Sequence, residues 1–317
     1  MKKFRIVLCL LILLCILLNC VGCNFKTKYS VFSDDDHIIT NISSSIRDYI
    51  SIVIDNRELV VCSYEGREIC RKRCEKRIVS VDMYNDKVLL QFEDDSIELY
   101  QIADGNLILS IQKAFPSPIK KSEIVGWIDD YTGIVVLLEN GDLFSSENPD
   151  APNDIVKIDT HVKAEAALLE FYIYTREDGA VIKMLRGSVY SPAPEIDMRL
   201  ARDIVELRLA RFNGDYGFLG IGTDQVYYLR GIPLCYDAEI DLSEIDIDSV
   251  KSGKYMYSSV LYQENGQWYY EGIKKDYVHD INYAHRKKIR VNQGESVLPI
   301  PGGVIFYTEH EVRAQLI

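Results

Sequence analysis

The chain of 317 residues lacks most of the features that announce an enzyme or a metal protein. Its five histidines, at 37, 161, 279, 285 and 310, form no H-E-x-x-H pair, which removes the helix-borne zinc hydrolases. There is no G-x-S-x-G elbow and no G-x-x-x-x-G-K-[ST] loop, so the usual serine-hydrolase and phosphate-loop signatures are also missing. Gly217-Phe218-Leu219-Gly220-Ile221-Gly222 has a glycine pattern, but it lies inside a hairpin arm rather than between a strand and a helix. Close backbone packing explains it better than a dinucleotide site does. No catalytic residue, metal ligand or cofactor is therefore nominated.

Basic charge is also scarce. The net charge is −12, and −15 once Lys2, Lys3 and Arg5 leave with the segment before Cys23. Such a surface repels phosphate backbones, so nucleic acid is not an expected partner. Beyond the N-terminus no segment carries a long apolar pattern of helical period. The 21 tyrosines and abundant Val and Ile favour pleated surfaces instead, and the fold class is read as all-β.

The one long hydrophobic run is at the start. Lys2, Lys3 and Arg5 precede an apolar stretch from Ile6 to Leu18, and Val21-Gly22-Cys23 follows. This is an export signal, shorter than the ~20 residues that span a bilayer comfortably. It resembles a bacterial lipoprotein signal, which implies residues 1–22 as signal peptide and Cys23 as the lipidated residue (Cys20 is the competing site). The implied location is the outer side of a bacterial cell membrane, with palmitate-type lipid as the anchor.

Residues 23–43 are largely polar and are read as a tether. Asp34-Asp35-Asp36-His37 is its sharpest feature, but it lacks the spacing of a calcium loop. Cys62, Cys70, Cys74 and Cys235 show no C-x-x-C spacing, and buried free thiols are expected for at least two of them.

From 44 to 317 the chain repeats itself. Glu123 to Glu147 is the clearest unit: Ile124-Val125 opens it, Ile134 to Leu138 runs into Asn140-Gly141, and Asp142 to Ser146 returns. Asn-Gly between apolar runs signals a hairpin, here expected as a type I′ turn. Corresponding turns are read at Glu65-Gly66, Asp94-Asp95, Asp178-Gly179, Thr223-Asp224, Asn265-Gly266 and Glu309-His310. The opening residues Ile78, Ile124, Ile155, Ile204, Ile247 and Ile289 precede these turns by similar distances. A period near 40–45 residues with several strands per unit is the mark of propeller blades. A β-propeller is predicted, with seven blades and one blade assembled from both chain ends; His37 to Ile42 is the expected closing strand.

The run Val136-Leu137-Leu138-Glu139-Asn140-Gly141-Asp142-Leu143-Phe144, its counterpart Val260 to Tyr269, and Ile78 to Tyr100 resemble the repeat of the regulator-of-chromosome-condensation family. In that repeat an apolar strand, an acidic residue and a glycine turn are followed by an apolar-aromatic return. This chain departs from it by lacking the family's histidine and its closing Trp-Gly. The resemblance implies a seven-bladed ring, and relatives that inhibit β-lactamases imply that such a ring can serve as a secreted protein-binding surface.

Aromatic and Arg residues dominate binding hot spots. Tyr277, His279 and Tyr283 fall between two repeats and are the best contact candidates, with Trp127 and Tyr131 in an inter-strand loop as a second set. The aromatics on strands, Tyr262, Trp268, Tyr269 and Tyr270 among them, are read as sheet packing. The expected function is a membrane-anchored, monomeric module that binds protein or glycan. The alternative is a propeller hydrolase or lyase with carboxylates in its central channel.

Overall fold

A computed structural model describes residues 28–45, 49–126, 132–146, 154–168, 171–178, 181–185, 204–212, 215–223, 225–230, 235–236, 242–252, 259–276, 281–300 and 302–317. The chain is all-β, a β-propeller of antiparallel sheets arranged as blades. The first strand, β1 (Lys28–Ser33), belongs to the last blade. Blade one comprises β2 (Ile39–Ser44), β3 (Tyr49–Ile54), β4 (Glu58–Ser63) and β5 (Glu68–Arg73). Blade two follows as β6 (Ile78–Tyr84), β7 (Lys87–Phe92), β8 (Ser96–Ala103) and β9 (Asn106–Ala114). Blade three holds β10 (Ile119–Gly126), β11 (Thr132–Leu138), β12 (Leu143–Ser146) and β13 (Ile155–Asp159).

Blade four is β14 (Val162–Leu168), β15 (Phe171–Arg176) and β16 (Val181–Leu185). Blade five contains β17 (Ile204–Phe212), β18 (Asp215–Gly222), β19 (Val226–Arg230) and β20 (Cys235–Tyr236). Blade six is β21 (Ile245–Ser252), β22 (Val260–Glu264), β23 (Gln267–Asp276) and β24 (Ile281–Lys288). The last blade is β25 (Ser296–Ile300), β26 (Gly303–Tyr307) and β27 (Glu311–Leu316), with β1 as its outer strand. Six sheets are complete four-stranded blades where seven were predicted; blade four has three strands among the described residues. The first strand of each sheet touches the first strand of the next, and β25 touches β2.

Burial explains the strand sequences. Second strands such as β3 (YISIVI) and β7 (KVLLQF) are buried at all but their first residue, because neighbouring blades cover both sheet faces. A strand covered on both faces reads as a continuous apolar run rather than an alternating one. The hydrophobic clusters accordingly lie between blades. One joins Ile52 and Val60 of blade one to Ile305 and Val312 of the last blade, and another joins Val61 to Met83 and Leu90 of blade two. Cys62, Cys70 and Cys74 are buried free thiols, as expected. Burial pushes the first two up to about 11, so they stay protonated and unreactive at neutral pH.

Ring closure differs from the sequence reading. The closing strand is β1, not residues 37–42; it pairs antiparallel with β27, Lys28 opposite Gln315 and Ser33 opposite Glu311. Residues 39–44 form the first strand of blade one. The tether assigned to 23–43 therefore gives way, from Lys28 onward, to two strands of the propeller. Asp34 to His37 is the joint between them: the Asp34 N–H donates to the His310 carbonyl (3.0 Å) and the Ile39 N–H to the Glu309 carbonyl (2.7 Å). His37 Nδ1 lies 3.1 Å from Asp34 Oδ2. Hydrogen bonding between them raises the histidine above its usual range and lowers the carboxyl below its own.

The misplacement has a local cause. Glu65-Gly66 joins β4 to β5, whereas the turns at Asp94-Asp95 and Asn140-Gly141 join the second and third strands of their blades. The equivalent turn in blade one is Asp55-Asn56-Arg57, with Asp55 and Asn56 at φ 49 and 56. Ile155, read as an opening residue, begins the outer strand of blade three, and blade four opens at Val162. Asn265-Gly266 is a two-residue turn with both residues at positive φ, as a type I′ turn requires. At Asn140-Gly141 only the glycine takes positive φ (82), and its N–H bonds the Leu138 carbonyl at 3.0 Å, so that turn is not type I′.

Gly66 fixes the closure. Its φ is +89, and a Cβ there would stand 2.3 Å from the Ser30 carbonyl oxygen of β1. Gly66→Ala must therefore strain the backbone and push on the closing strand, costing about 2–4 kcal/mol. Gly266→Ala, at φ +73 with nothing within 4 Å, should cost about 1 kcal/mol, for the backbone alone. Thermal melts of the two variants check this; equal losses would contradict the close approach of β1.

Candidate functional site: the overhanging hairpin of blade six and the polar axis

Five of the first strands share a bulge. In β2, β6, β10, β14 and β17 the register slips just after the opening residue, at Ile39/Asn41, Ile78/Ser80, Ile119/Lys121, Val162/Ala164 and Ile204/Glu206. A bulged residue drops out of the ladder and leaves its backbone groups available. Side chains of the preceding blade use them. Asn41 Nδ2 donates to the Val79 carbonyl at 3.3 Å, and Lys120 Nζ donates to the Lys163 carbonyl at 2.6 Å. Arg208 Nη1 donates to the Ile247 carbonyl of blade six at 2.9 Å. Between blades two and three the direction reverses: Asp82 Oδ2 accepts the Ile124 N–H at 2.7 Å. Polar groups near the axis thus stitch blades together.

At the joint of blades three and four these stitches become ionic. Lys121 Nζ lies 3.1 Å from Glu123 Oε2 on its own strand and 3.4 Å from Glu165 Oε1 on β14, and it donates to the Glu165 carbonyl at 2.9 Å. The Glu165 side chain is fully buried. Burial disfavours the ammonium, but the two carboxylates outweigh it and hold Lys121 above its usual value. Aligning the repeats would have revealed Glu165. Three residues past the opening residue, blades one, two, three and five have Ile42, Val81, Ser122 and Leu207, where blade four has an acid. Among the described residues no group of three or more His, Cys, Asp or Glu could hold a metal ion.

The strand aromatics of blade six do pack. Tyr262 and Tyr270 are 3% exposed, and Tyr262 stacks on Tyr269 with centroids 6.1 Å apart. Arg286 caps this stack, its guanidinium 4.0 Å from the Tyr269 ring centre and 5.7 Å from that of Tyr262, and it also pairs with Glu264. A guanidinium over two tyrosine faces is attracted by both ring quadrupoles. Arg286 remains 43% exposed, so the cluster reaches solvent.

β23 and β24 outrun the rest of their sheet. Among the described residues, β22 pairs with Gln267 to Glu271, while Gly272 to Asp276 pair with β24 alone. By the described pairings the hairpin runs five residues past the end of β22, and residues 277–280, between its two strands in sequence, include Tyr277 and His279. Tyr283 is in β24 opposite Lys274. Tyr277, His279, Trp127, Tyr131 and Cys23 themselves lie outside the described residues. Of these candidates only Tyr283 lies in a described strand, on the arm that pairs with the part of β23 beyond β22.

No family model and no curated protein sequence matches the chain. Solved structures do. The β-propeller domain of Cps50 (Swd1) from Myceliophteria thermophila aligns over 92% of this chain and 100% of its own, at 11% identity and a TM-score of 0.57. BamB from Moraxella catarrhalis aligns over 90% and 84%, at 9% identity and a TM-score of 0.50. At such identities the likeness shows the fold alone: this chain has the architecture of a β-propeller.

Removing one partner of a buried ion pair costs more than replacing both. Lys121→Met, which takes the Lys121 ammonium away from Glu123 and the buried Glu165, should lower stability by up to about 3 kcal/mol. Adding Glu165→Leu should recover much of that loss. Chemical denaturation of the single and double variants measures the difference, and additive losses would rule out the coupling.

Proposed function

We propose that the chain is an exported lipoprotein, anchored through Cys23, whose propeller binds a protein or glycan through the overhanging hairpin of blade six. The observation that carries this is that β23 runs five residues beyond the described end of β22 and, among the described residues, pairs there with β24 alone. A hairpin stabilises itself only marginally unless other strands support it. This one is rooted in the sheet at Tyr269 and Arg286 and ends in a connection rich in aromatic and histidine side chains. Rigid scaffolds that present variable loops are the usual arrangement for recognition.

The ring is read as having seven positions, as the regulator-of-chromosome-condensation resemblance implies. The basic-apolar-Gly-Cys order of the first 23 residues supports the lipid anchor. β1 begins five residues after Cys23, so an anchored ring would sit close to the membrane at the outer edge of its last blade. The enzymatic alternative has one favourable observation, the paired Glu123 and Glu165 on first strands. Both lie against the same ammonium, which suits a blade-to-blade clamp better than an acid and a base at different pKa values.

Two measurements test the proposal. A clickable fatty acid should label the wild-type chain and not Cys23→Ala; label persisting in the variant would move the anchor to Cys20. Tyr277→Ala and Tyr283→Ala should each leave the melting temperature within about 2 °C while weakening capture of a cell-surface protein or glycan by about tenfold. Losses of about 3 kcal/mol or more in both variants would place those tyrosines in the core instead.

A further inference from the structure

An outer strand exposes a row of unpaired N–H and C=O groups, and natural sheets usually guard it with charge or cover it. Three of the described outer strands, β1, β5 and β13, follow that rule, and β9 does not. β1 is covered by the blade-one turn, whose Gly66 approaches Ser30. β5 carries Glu68, Arg71, Lys72 and Arg73, and β13 carries Lys157 and Asp159. β9 has no charge from Asn106 to Gln112 (NLILSIQ), and two adjacent apolar side chains stand open at its middle, Ile108 at 54% and Leu109 at 47% exposure. Among the described residues it pairs with β8 on one side and ends the sheet on the other.

Charges of opposite sign bracket this bare edge, Asp104 in the turn before it and Lys113 near its end, whose Nζ also donates to the Ile155 carbonyl of blade three at 2.5 Å. That layout complements itself. Two β9 edges run antiparallel about a two-fold axis would set each Asp104 toward the other's Lys113 and bring the two Ile108-Leu109 pairs together at the centre. A parallel arrangement would instead oppose Asp104 to Asp104. We propose that the outer edge of β9 docks the β9 of a second copy of this chain, giving a two-fold dimer with a continuous sheet across blade two of each copy.

The contact is small. Ser110 is skipped in the ladder to β8, where Leu99 pairs with Ile111 and Tyr100 with Leu109, and this bulge shortens the regular edge. Pairing so few residues buries less than the roughly 1,000 Å² of a stable interface, so the dimer is weak and depends on concentration.

Sedimentation equilibrium of the full 36.3 kDa chain in detergent tests this, over protein concentrations from about 1 to about 500 µM. The protein mass should rise from one copy toward two. Leu109→Lys, which places a charge on the edge, should raise the dissociation constant at least about tenfold with an unchanged melting curve. Ile108→Lys, on the opposite sheet face, should act alike and covers the case in which Leu109→Lys fails to fold. A synthetic peptide of residues 104–114 should lower the dimer fraction. A mass independent of concentration overturns the proposal, as does a dimer indifferent to both substitutions. A monomeric wild type that nevertheless binds the peptide also overturns it, by showing that the edge accepts a foreign strand and not a second copy.

Discussion

Everything in this molecule depends on covering sheet faces that no blade can cover alone. The central strands of each blade are apolar on both faces, and Ile50, Ile52, Val60, Val88 and Ile134 are all fully buried, because the blades on either side supply the missing surface. The arrangement has to close on itself, since an open row would leave two terminal faces exposed to water. β1 makes that closure. By pairing with β27 it ties the start of the chain to its end, and Gly66 of blade one lies against it from the neighbouring sheet.

Polar chemistry is subordinate to the same requirement. The bulges of the first strands release carbonyls, and Asn41, Lys120 and Arg208 of one blade donate to them across the joint. Lys121 extends this to a pair of carboxylates, one of them fully buried. Such a cluster contributes little net stability compared with an apolar replacement, yet it penalises any other blade-to-blade register, because a displaced Glu165 would lose its cation in a dry site. Recognition then falls to what the stitched ring leaves outside: the overhang of β23 and β24, with Arg286 on its tyrosine stack, and the uncharged edge of β9.

The propeller was legible in the sequence because its signals are local. Turn residues with positive φ and continuous apolar second strands recur wherever the blade is regular, and Asn265-Gly266 forms the two-residue turn that its composition demands. The errors came where one blade offers two similar turns. Glu65-Gly66 looks like the turn at Asp95, but it follows β4 and lies against the closing strand, so composition alone sets the first unit one turn late and points to residues 37–42 for the closure. Nothing in KYSVFS distinguishes an outer strand from a tether, because its partner β27 is nearly the whole chain away. The Lys121 cluster was hidden for a related reason. Acids are frequent in this chain, and Glu165 stands out only once the blades are aligned on their bulges. The overhang of blade six depends on where β22 stops relative to β23, a comparison of two strand lengths that residue types do not encode.

The central claim is that β1 locks the blades into one cooperative unit. Hydrogen exchange after deletion of Lys28 to Ser33 tests it most directly, read at β27 beside the lesion and at Val135 and Val136 of β11, which lie in blade three. The account predicts that protection falls at both places together, since each blade's faces are covered only by its neighbours. Loss confined to β27, with β11 still protected and a sharp melt retained, would contradict it.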